Sequence, residues 1–335
     1  MMASMARSRP SLTIVIPTLN RARLVARAVE SALAQTAPDI EIIVSDNGSA
    51  DETPAVLARY RDDRLRHIRH ECTIPATDHG NFLLDQASGE FFLGLSDDDY
   101  IEPEFVDRVL EHFRRHKGLA FVYTGCITHY GSVAVPGITG PETEGGSDFI
   151  SAFFAGKREV CWCACVARMA DLRAIGPIPE RRVFGDMFFW TKLAFRGSVG
   201  CVATHLAHYT FMTTDNVSSG TPVLTWALET RMLADEVLAA YGDLGGDLVP
   251  AGLRRDCVRF VARSTANQFV WNAIRGSGKP ALLAALPACL PYVSGDPSVW
   301  PRIAGALAMP RRVIRDLILK AAARRASLHQ RLQRR

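Results

Sequence analysis

The chain has no apolar run of the ~18 residues that a membrane-spanning helix requires. The nearest approach, residues 281–293, is short and contains Pro287 and Pro291. Residues 1–10 lack the apolar segment of a secretory signal, and we expect a disordered leader there. These absences predict a cytoplasmic protein, either in solution or held peripherally at the inner face of the cell membrane.

The eight cysteines show neither disulfide nor zinc spacing. Cys161, Cys163 and Cys165 alternate, which in a strand would place three sulfurs on one face. However, no CxxC pair or histidine follows them at the spacing of a zinc site. We therefore expect buried thiols in a reducing compartment.

An excess of one charge is confined to the C-terminal end. The 335 residues carry a net charge of +4, with +8 in residues 311–335 and −4 in all the others. This distribution argues against a uniformly basic surface, so we expect no nucleic acid partner. With 48% hydrophobic residues, the chain can bury a substantial core.

Strand and helix patterns alternate over the first ~125 residues, which predicts an α/β fold with a mostly parallel sheet and helices on both faces. Predicted strands cover residues 12–17, 40–45, 65–69, 90–95 and 119–123, and predicted helices cover 21–36, 53–60, 81–87 and a segment after Pro103. In such sheets, ligands bind at the carboxyl ends of the strands. Polar motifs after the first, second and fourth strands should therefore meet at one edge.

The remaining chain divides into three parts. Residues 126–220 should complete a domain that begins at residue 11, with a mobile loop over 131–148, strands over 160–166 and 199–203, and a helix over 186–196. Residues 221–310 read as helical, with breaks near 276–280 and 287–301, and 311–335 read as a basic amphipathic tail.

Three consecutive carboxylates, Asp97, Asp98 and Asp99, follow the fourth predicted strand. Adjacent like charges raise one another's pKa unless a cation neutralises them, and oxygen ligands suit Mg²⁺ or Mn²⁺. The alternative is a solvated turn that caps the next helix. Asp46, after the second strand, could bind a uracil-type base or ribose hydroxyls, whereas helix capping explains its neighbours Ser49 and Asp51 but not Asp46 itself.

Residues 14–21, 44–53 and 89–103, taken in this order and spacing, closely resemble family 2 glycosyltransferases with the GT-A fold. The resemblance covers about residues 11–220 and implies a nucleotide-diphosphate sugar donor, a Mn²⁺ or Mg²⁺ ion, and inversion at the anomeric carbon. It also implies a saccharide or lipid-linked acceptor, in the assembly of bacterial surface polysaccharide or glycolipid.

The resemblance also suggests roles for individual residues. Donor contacts fall on Pro17, Thr18, Asn20, Arg21, Asp46, Asn47 and Asp97. The family carries an Asp-x-Asp motif at a fixed distance before the proline that corresponds to Pro103. Its second aspartate falls on Asp98, which is therefore the best candidate metal ligand. Its first aspartate falls on Ser96, a departure that leaves the ribose contact open. Asp97 would contact ribose or assist the metal. Asp99 is the second candidate metal ligand, or else only a helix cap.

On the acceptor side, residues 184–197 resemble the family's helix that carries the general base, which corresponds to Asp186. Gly185 replaces the usual glutamate, and Asp186 could instead only cap the helix. Residues 208–218 keep the family's Asn216 and Ser218 but lack its arginine and its correctly placed histidine. His205 and His208 therefore receive no role.

Other functions remain open at this point. A nucleotidyltransferase would need a glycine-rich basic loop after the first strand, and residues 17–23 have no glycine. A non-catalytic sugar-nucleotide-binding protein would bind the donor with metal but neither hydrolyse nor transfer it, and the presence of both Asp98 and Asp186 argues against this alternative. The tail could lie on an anionic membrane, pack on the body or stay solvated.

Overall fold

The computed structural model describes residues 9–180, 185–211, 220–245, 248–276 and 278–333, with side chains described through residue 329. Residues 1–8 of the predicted leader, together with Asn216 and Ser218, lie outside this part.

The first 130 residues alternate between strands and helices, as predicted. Their elements are β1 Leu12–Thr18, α1 Val25–Leu33, β2 Ile40–Asp46, α2 Thr53–Leu57, β3 Leu65–Arg69, α3 Ala76–Gln86, β4 Phe91–Gly94, β5 Tyr100–Ile101, α4 Phe105–Arg115 and β6 Leu119–Tyr130. The next elements are β7 Val133–Pro136, β8 Thr143–Glu144, α5 Gly146–Phe154, a 3-10 turn Trp162–Ala164, β9 Cys165–Arg168, α6 Met169–Ile175, α7 Gly185–Ala194 and β10 Ser198–Phe211.

The strands form one sheet in the order β3-β2-β1-β4-β9-β6-β10-β5, with β7 beside β6 and β8 beside β10. Strands β3, β2, β1 and β4 are parallel, and so are β6 and β10. Antiparallel β9 joins these two parallel groups. The predicted α/β class is confirmed, and the short antiparallel strands are additions that sequence reasoning did not anticipate.

Side chains of β1 alternate between the two faces of the sheet. Leu12, Ile14 and Ile16 pack in the core that holds α1 and α4. Val15 packs in the opposite core together with Leu83 of α3. Burial on both faces explains the nearly continuous apolar sequence of this strand.

Two local predictions were wrong. The predicted mobile loop 131–148 contains β7, β8 and the start of α5, because strand pairing with β6 and β10 orders its polar sequence. The predicted strand 160–166 is a 3-10 turn followed by β9, so the three alternating cysteines do not share the face of one strand. All eight cysteines are free thiols.

The C-terminal region is helical, as predicted. Its helices are α8 Val223–Asp243, α9 Leu253–Arg275, α10 Lys279–Val293, α11 Trp300–Ala308 and α12 Arg311–Gln333. The predicted break within 287–301 is present between Val293 and Trp300, but it begins later than predicted, because α10 continues past Pro287 and Pro291. Both prolines are exposed, so water can bond the carbonyls that lose a helical partner. Within the described residues, no helix is both long and apolar enough to cross a bilayer.

The basic tail helix α12 packs on the body. Ile314 and Ala322 are buried, and the Arg311 guanidinium donates to the Ile274 carbonyl of α9. Arg325 forms an ion pair with Glu159 at 2.6 Å. The helix therefore has a fixed inner face and an exposed outer face.

Candidate active site

The carboxyl ends of β1 and β4 bring Asp97 and Asp98, here called the acidic pair, against the loop that follows β1. The Thr18 hydroxyl donates to Asp97 Oδ2 at 2.7 Å. The Arg21 guanidinium lies 3.2 Å from Asp97 Oδ1 and 2.9 Å from Asp98 Oδ2. The motifs that follow β1 and β4 are thus in direct contact, as predicted.

Burial raises the pKa of Asp97 to about 6, although Arg21 and Thr18 oppose the rise. A carboxyl with such a pKa is incompletely neutralised by its protein partners. A cation beside Asp97 would therefore stabilise its charged form. The donor atoms of the acidic pair are the hard oxygens that Mg²⁺ and Mn²⁺ prefer.

Asp99 contacts different groups from the acidic pair. Its Oδ1 accepts a hydrogen bond from the Thr210 backbone N–H, its side chain contacts Cys163, and it is 1% exposed. Burial and the neighbouring Asp98 raise its pKa well above the ordinary value. Unlike Asp97 and Asp98, Asp99 does not line the cleft described below. This placement favours a structural role over the predicted one as a metal ligand.

Asp186 lies in the first turn of α7, where its Oδ1 accepts from the Met187 N–H at 2.8 Å. Burial raises the pKa of its carboxyl to about 6, and backbone hydrogen bonds only partly oppose this. The predicted capping contact and a perturbed carboxyl therefore coexist in one residue. A carboxylate with a raised pKa is a stronger proton acceptor than an ordinary surface aspartate.

Three predicted donor-binding side chains stabilise the loops around this edge. Asn20 has the left-handed φ of 54°, and its Oδ1 accepts from the Ala50 N–H. The Asn47 amide pairs with both backbone groups of Ile74. Asp46 Oδ1 accepts from the Ser49 N–H, whereas the buried Oδ2 has no hydrogen-bond partner among the described residues, its ion-pair partner Arg69 being 3.5 Å away.

One cleft of about 960 Å³ joins these groups. Its lining includes predicted residues from several elements, namely Pro17, Thr18, Asn20, Arg21, Asn47, Asp97, Asp98 and Asp186. Asp46 lies at its edge beside Asn47 but is not part of the lining. The acidic pair and the candidate base, far apart in the sequence, therefore share one cavity.

Sequence reasoning missed two aromatic side chains of the cleft. His79 of α3 is buried, its Nε2 lies 2.8 Å from the Ser45 hydroxyl, and burial lowers its pKa to about 4, so the ring is neutral. Trp162 lies directly over Gly94 and stacks on Phe189. Neither residue belongs to a motif, although Gly94 within a strand signals a close approach by another group.

The two unassigned histidines lie elsewhere. His208 stacks on Tyr100 with ring centroids 4.2 Å apart, and its Nε2 lies 2.7 Å from Glu102. His205 Nε2 lies 3.1 Å from the Gly137 carbonyl oxygen. Neither lines the cleft, whereas Tyr209, which alternates with His208 along β10, does.

Comparison with known proteins agrees with this geometry. Residues 13–136, which carry β1 to β7 and the acidic pair, match the model of the family described as Glycosyl transferase family 2. The chain carries a family 2 glycosyltransferase domain. Residues 14–21, 44–53 and 89–103 all lie within the match, so the resemblance stated for those motifs is confirmed.

Curated relatives share this glycosyltransferase domain and differ in length. The chain is 31% identical over 156 residues to a GalNAc(5)-diNAcBac-PP-undecaprenol beta-1,3-glucosyltransferase of Campylobacter jejuni, covering 44% of this chain and 50% of that protein. It is 34% identical over 117 residues to a chondroitin synthase of Escherichia coli, covering 34% of this chain and 17% of that protein. The chain thus spans half or less of these relatives.

Solved structures extend the likeness beyond the glycosyltransferase domain to nearly the whole chain. TarS 1–349 of S. aureus in complex with UDP-GlcNAc superposes with a TM-score of 0.61 and 17% identity, covering 93% of this chain and 92% of that one. A mannosyltransferase from Pyrobaculum calidifontis in complex with GDP-Man and Mn²⁺ superposes with a TM-score of 0.54 and 16% identity, covering 93% of this chain and 87% of that one. These similarities establish the GT-A fold.

Proposed function

We propose that the chain is an inverting glycosyltransferase that moves a sugar from a nucleotide-diphosphate sugar to an acceptor hydroxyl in the synthesis of bacterial polysaccharide or glycolipid. The observation that carries the proposal is the shared cleft of about 960 Å³, which is lined by both the acidic pair and Asp186. The family match supports the reaction class, and the name of the Campylobacter relative supports a lipid-linked or saccharide acceptor.

In the proposed reaction, the acceptor oxygen attacks the anomeric carbon as the bond from that carbon to the diphosphate oxygen breaks. The acceptor proton passes to the Asp186 carboxylate, whose raised pKa suits a base that works near neutral pH. Attack opposite the leaving group inverts the anomeric configuration. The apolar wall formed by Trp162 and Met187 limits the water that could compete with the acceptor.

A divalent ion fits the acidic pair. Asp97 and Asp98 offer carboxylate oxygens at the cleft wall, and Arg21 supplies only one positive charge against two negative ones. Asp98, assisted by Asp97, would hold Mn²⁺ or Mg²⁺, and the ion would supply positive charge for the departing diphosphate. Arg21 lies beside the same carboxylates and could contact a phosphate oxygen of the donor.

The nucleoside end of the donor would lie at the carboxyl end of β2. Asp46 Oδ2 is buried beside this position with no hydrogen bond among the described residues, so it can accept one from a base N–H or a ribose hydroxyl. His79, which lines the cleft next to Asn47, offers a neutral ring for packing against a base. The Asn47 side chain makes one donor and one acceptor bond to Ile74, so we assign it to shaping the pocket.

Binding of UDP- and GDP-sugars with and without Mn²⁺, followed by isothermal titration calorimetry, tests the donor site. We expect Asp98→Asn to lower metal-dependent donor affinity about tenfold or more. The exposed Asp148, in the first turn of α5, provides the control Asp148→Asn, which should bind as the wild type does. Failure of every nucleoside diphosphate and its sugars to bind the wild type would contradict the proposal.

The outer face of α12 supports a proposed contact with an anionic membrane surface. Val313, Leu317 and Leu328 are 43%, 50% and 59% exposed. They lie at helical spacing among basic side chains on a helix whose inner face is already packed. Exposed apolar groups interleaved with positive charge are typical of helices that lie on anionic lipid, and this placement suits a lipid-linked acceptor.

Co-sedimentation with vesicles tests this contact. We expect binding to phosphatidylglycerol vesicles that weakens with salt, and little binding to phosphatidylcholine vesicles. The double substitution Leu317→Glu, Leu328→Glu should abolish it, whereas Leu244→Glu, at a 60% exposed leucine just after α8, should not. Equal binding to both vesicle types, or by the double variant, would show that α12 is not the contact.

A further inference from the structure

A group of metal-ligating side chains lies apart from the cleft, where the end of α4 meets the loop before β8. His112 is on α4, His116 immediately follows it, and Glu142 immediately precedes β8. One ligand atom from each residue lies within 4.8 Å of the other two. The part of the chain that the structure describes contains one such group of histidines, cysteines and carboxylates.

The three side chains are held in place before any ion binds. The His112 ring is 5% exposed, it lies 2.8 Å from where a Cβ on Gly200 would be, and its Nε2 is 2.9 Å from the Glu142 carbonyl oxygen. The same carbonyl accepts from the Cys201 N–H at 3.0 Å. His116 Nε2 lies 3.0 Å from Glu142 Oε1, close to the ~3.3 Å that separates two ligand atoms around a tetrahedral zinc ion.

We propose that His112, His116 and Glu142 form a site for a borderline divalent cation, with Zn²⁺ as the best fit. Two imidazoles four residues apart and one carboxylate are a donor set that suits zinc, leaving a fourth position for water. Hard ions such as Mg²⁺ prefer oxygen ligands and should compete poorly.

The neighbouring space and charge are compatible with an ion. A cavity of about 310 Å³ borders the group, and its lining includes His112, residues 201–204 of β10, and two carboxylates that balance two arginines: Glu111, Glu142, Arg108 and Arg115. Arg115 now pairs with Glu142 Oε1 at 3.1 Å, and this exposed ion pair contributes little, so its displacement costs little. Cys201 lines the same cavity, but its sulfur is not one of the ligand atoms that lie within 4.8 Å of one another.

The site is separate from the catalytic cleft. It lies beside the start of β10, where Val199 and Gly200 pair with β8, whereas Tyr209 lines the cleft near the other end of that strand. Tyr209 lies nine positions beyond Gly200 along β10, roughly 30 Å at the usual rise. An ion here would join α4 to the loop before β8 and stabilise the fold without taking part in transfer.

Zinc binding by the EDTA-treated 335-residue chain tests the proposal, in a Cys72→Ser, Asp98→Asn background that removes the exposed thiol and the cleft ligand. We expect one Zn²⁺ per chain, a higher melting temperature with Zn²⁺ but not with Mg²⁺, and, for Co²⁺, d–d bands without a thiolate charge-transfer band. His116→Gln and Glu142→Gln should each weaken zinc binding about tenfold or more.

The matched control is Glu111→Gln, which alters a carboxylate of the same cavity outside the proposed ligand set. It should leave zinc affinity unchanged. The apo melting temperatures of His116→Gln and Glu142→Gln show whether each variant is folded, and His116→Cys offers a second variant that should restore binding with a thiolate band. Unchanged zinc affinity in the two Gln variants, or equal losses in Glu111→Gln, would overturn the proposal.

Discussion

Replacement of Asp186 by Asn removes a charge from a partly buried carboxyl and keeps its shape and its capping acceptor. Burial raises the pKa of this group from 3.8 to about 6. At about 1.4 kcal/mol for each tenfold change in ionisation, the buried charge lowers stability at neutral pH by at most about 3 kcal/mol. Partial exposure and the helix N-terminus, which favours an anion by up to about 1 kcal/mol, reduce this to about 2 kcal/mol.

The pH dependence of the difference follows from the sign of the shift. The folded protein favours the neutral carboxyl. The stabilisation that the bound proton gives to the folded state is therefore fully present below pH 3.8 and is lost as the pH rises through about 6. Asp186→Asn should therefore match the wild type in stability at pH 3.5. It should exceed the wild type by about 2 kcal/mol at pH 7.5.

The same substitution should lower sugar transfer about 10²–10⁴-fold, since the variant has no base for the acceptor proton. Donor affinity, measured by calorimetry, should stay within about twofold because the change is not at the donor site. Transfer by the wild type should rise with pH through about 6 as Asp186 ionises.

Urea unfolding followed by tryptophan fluorescence across this pH range measures the stability difference, and Asp148→Asn is the control at an exposed helix start. A stability gain that is the same at pH 3.5 and 7.5 would refute the electrostatic reasoning. Near-normal transfer by Asp186→Asn would refute the assignment of the base.

Three further substitutions test the packing and charge of the site. The methyl group of Gly94→Ala would overlap the Trp162 indole, so the free energy of unfolding in urea should fall by about 1–3 kcal/mol, and donor binding in calorimetry should weaken. Gly146→Ala would overlap the Ala194 carbonyl of α7 and should lower the melting temperature by more than about 4 °C, as read by circular dichroism. Arg21→Met removes the cation that is ion-paired with Asp97 and Asp98, so Mn²⁺ affinity in calorimetry should rise about tenfold while donor affinity falls. Unchanged values for both would contradict the proposed contact of Arg21 with the donor phosphate.

The strands of the first half could be predicted because their signal is local. Residues 12–17 and 40–45 are apolar on both faces, and the parallel sheet buries both faces. Strands β7 to β9 are short, and their sequences pair only because β6, β10 and β4 are already in place. Such pairing depends on distant neighbours, and local patterns do not reveal it.

The candidate site likewise has features that the sequence predicted and features that only tertiary packing decides. Motif spacing predicted that Thr18 and Asp97 would lie at one edge, and their hydrogen bond spans 79 residues of sequence. The spacing from Pro103 singled out Asp98 and left Asp99 as either a second metal ligand or a helix cap. It could not show that packing beneath β10 places the Asp99 carboxylate against Thr210. His79 and Trp162 line the cleft because α3 and the 3-10 turn, which carry them, pack on the sheet beside it.

By itself, the sequence determined the class of fold, the edge of the sheet at which the candidate site lies, and the motifs that meet there. These follow from hydrophobic periodicity and from turn residues, which act over a few positions. Only the tertiary structure decided which carboxylates face the cleft, how burial shifts their pKa values, and which aromatic residues complete the wall. Those properties depend on desolvation and contact between segments far apart along the chain, which sequence spacing alone does not specify.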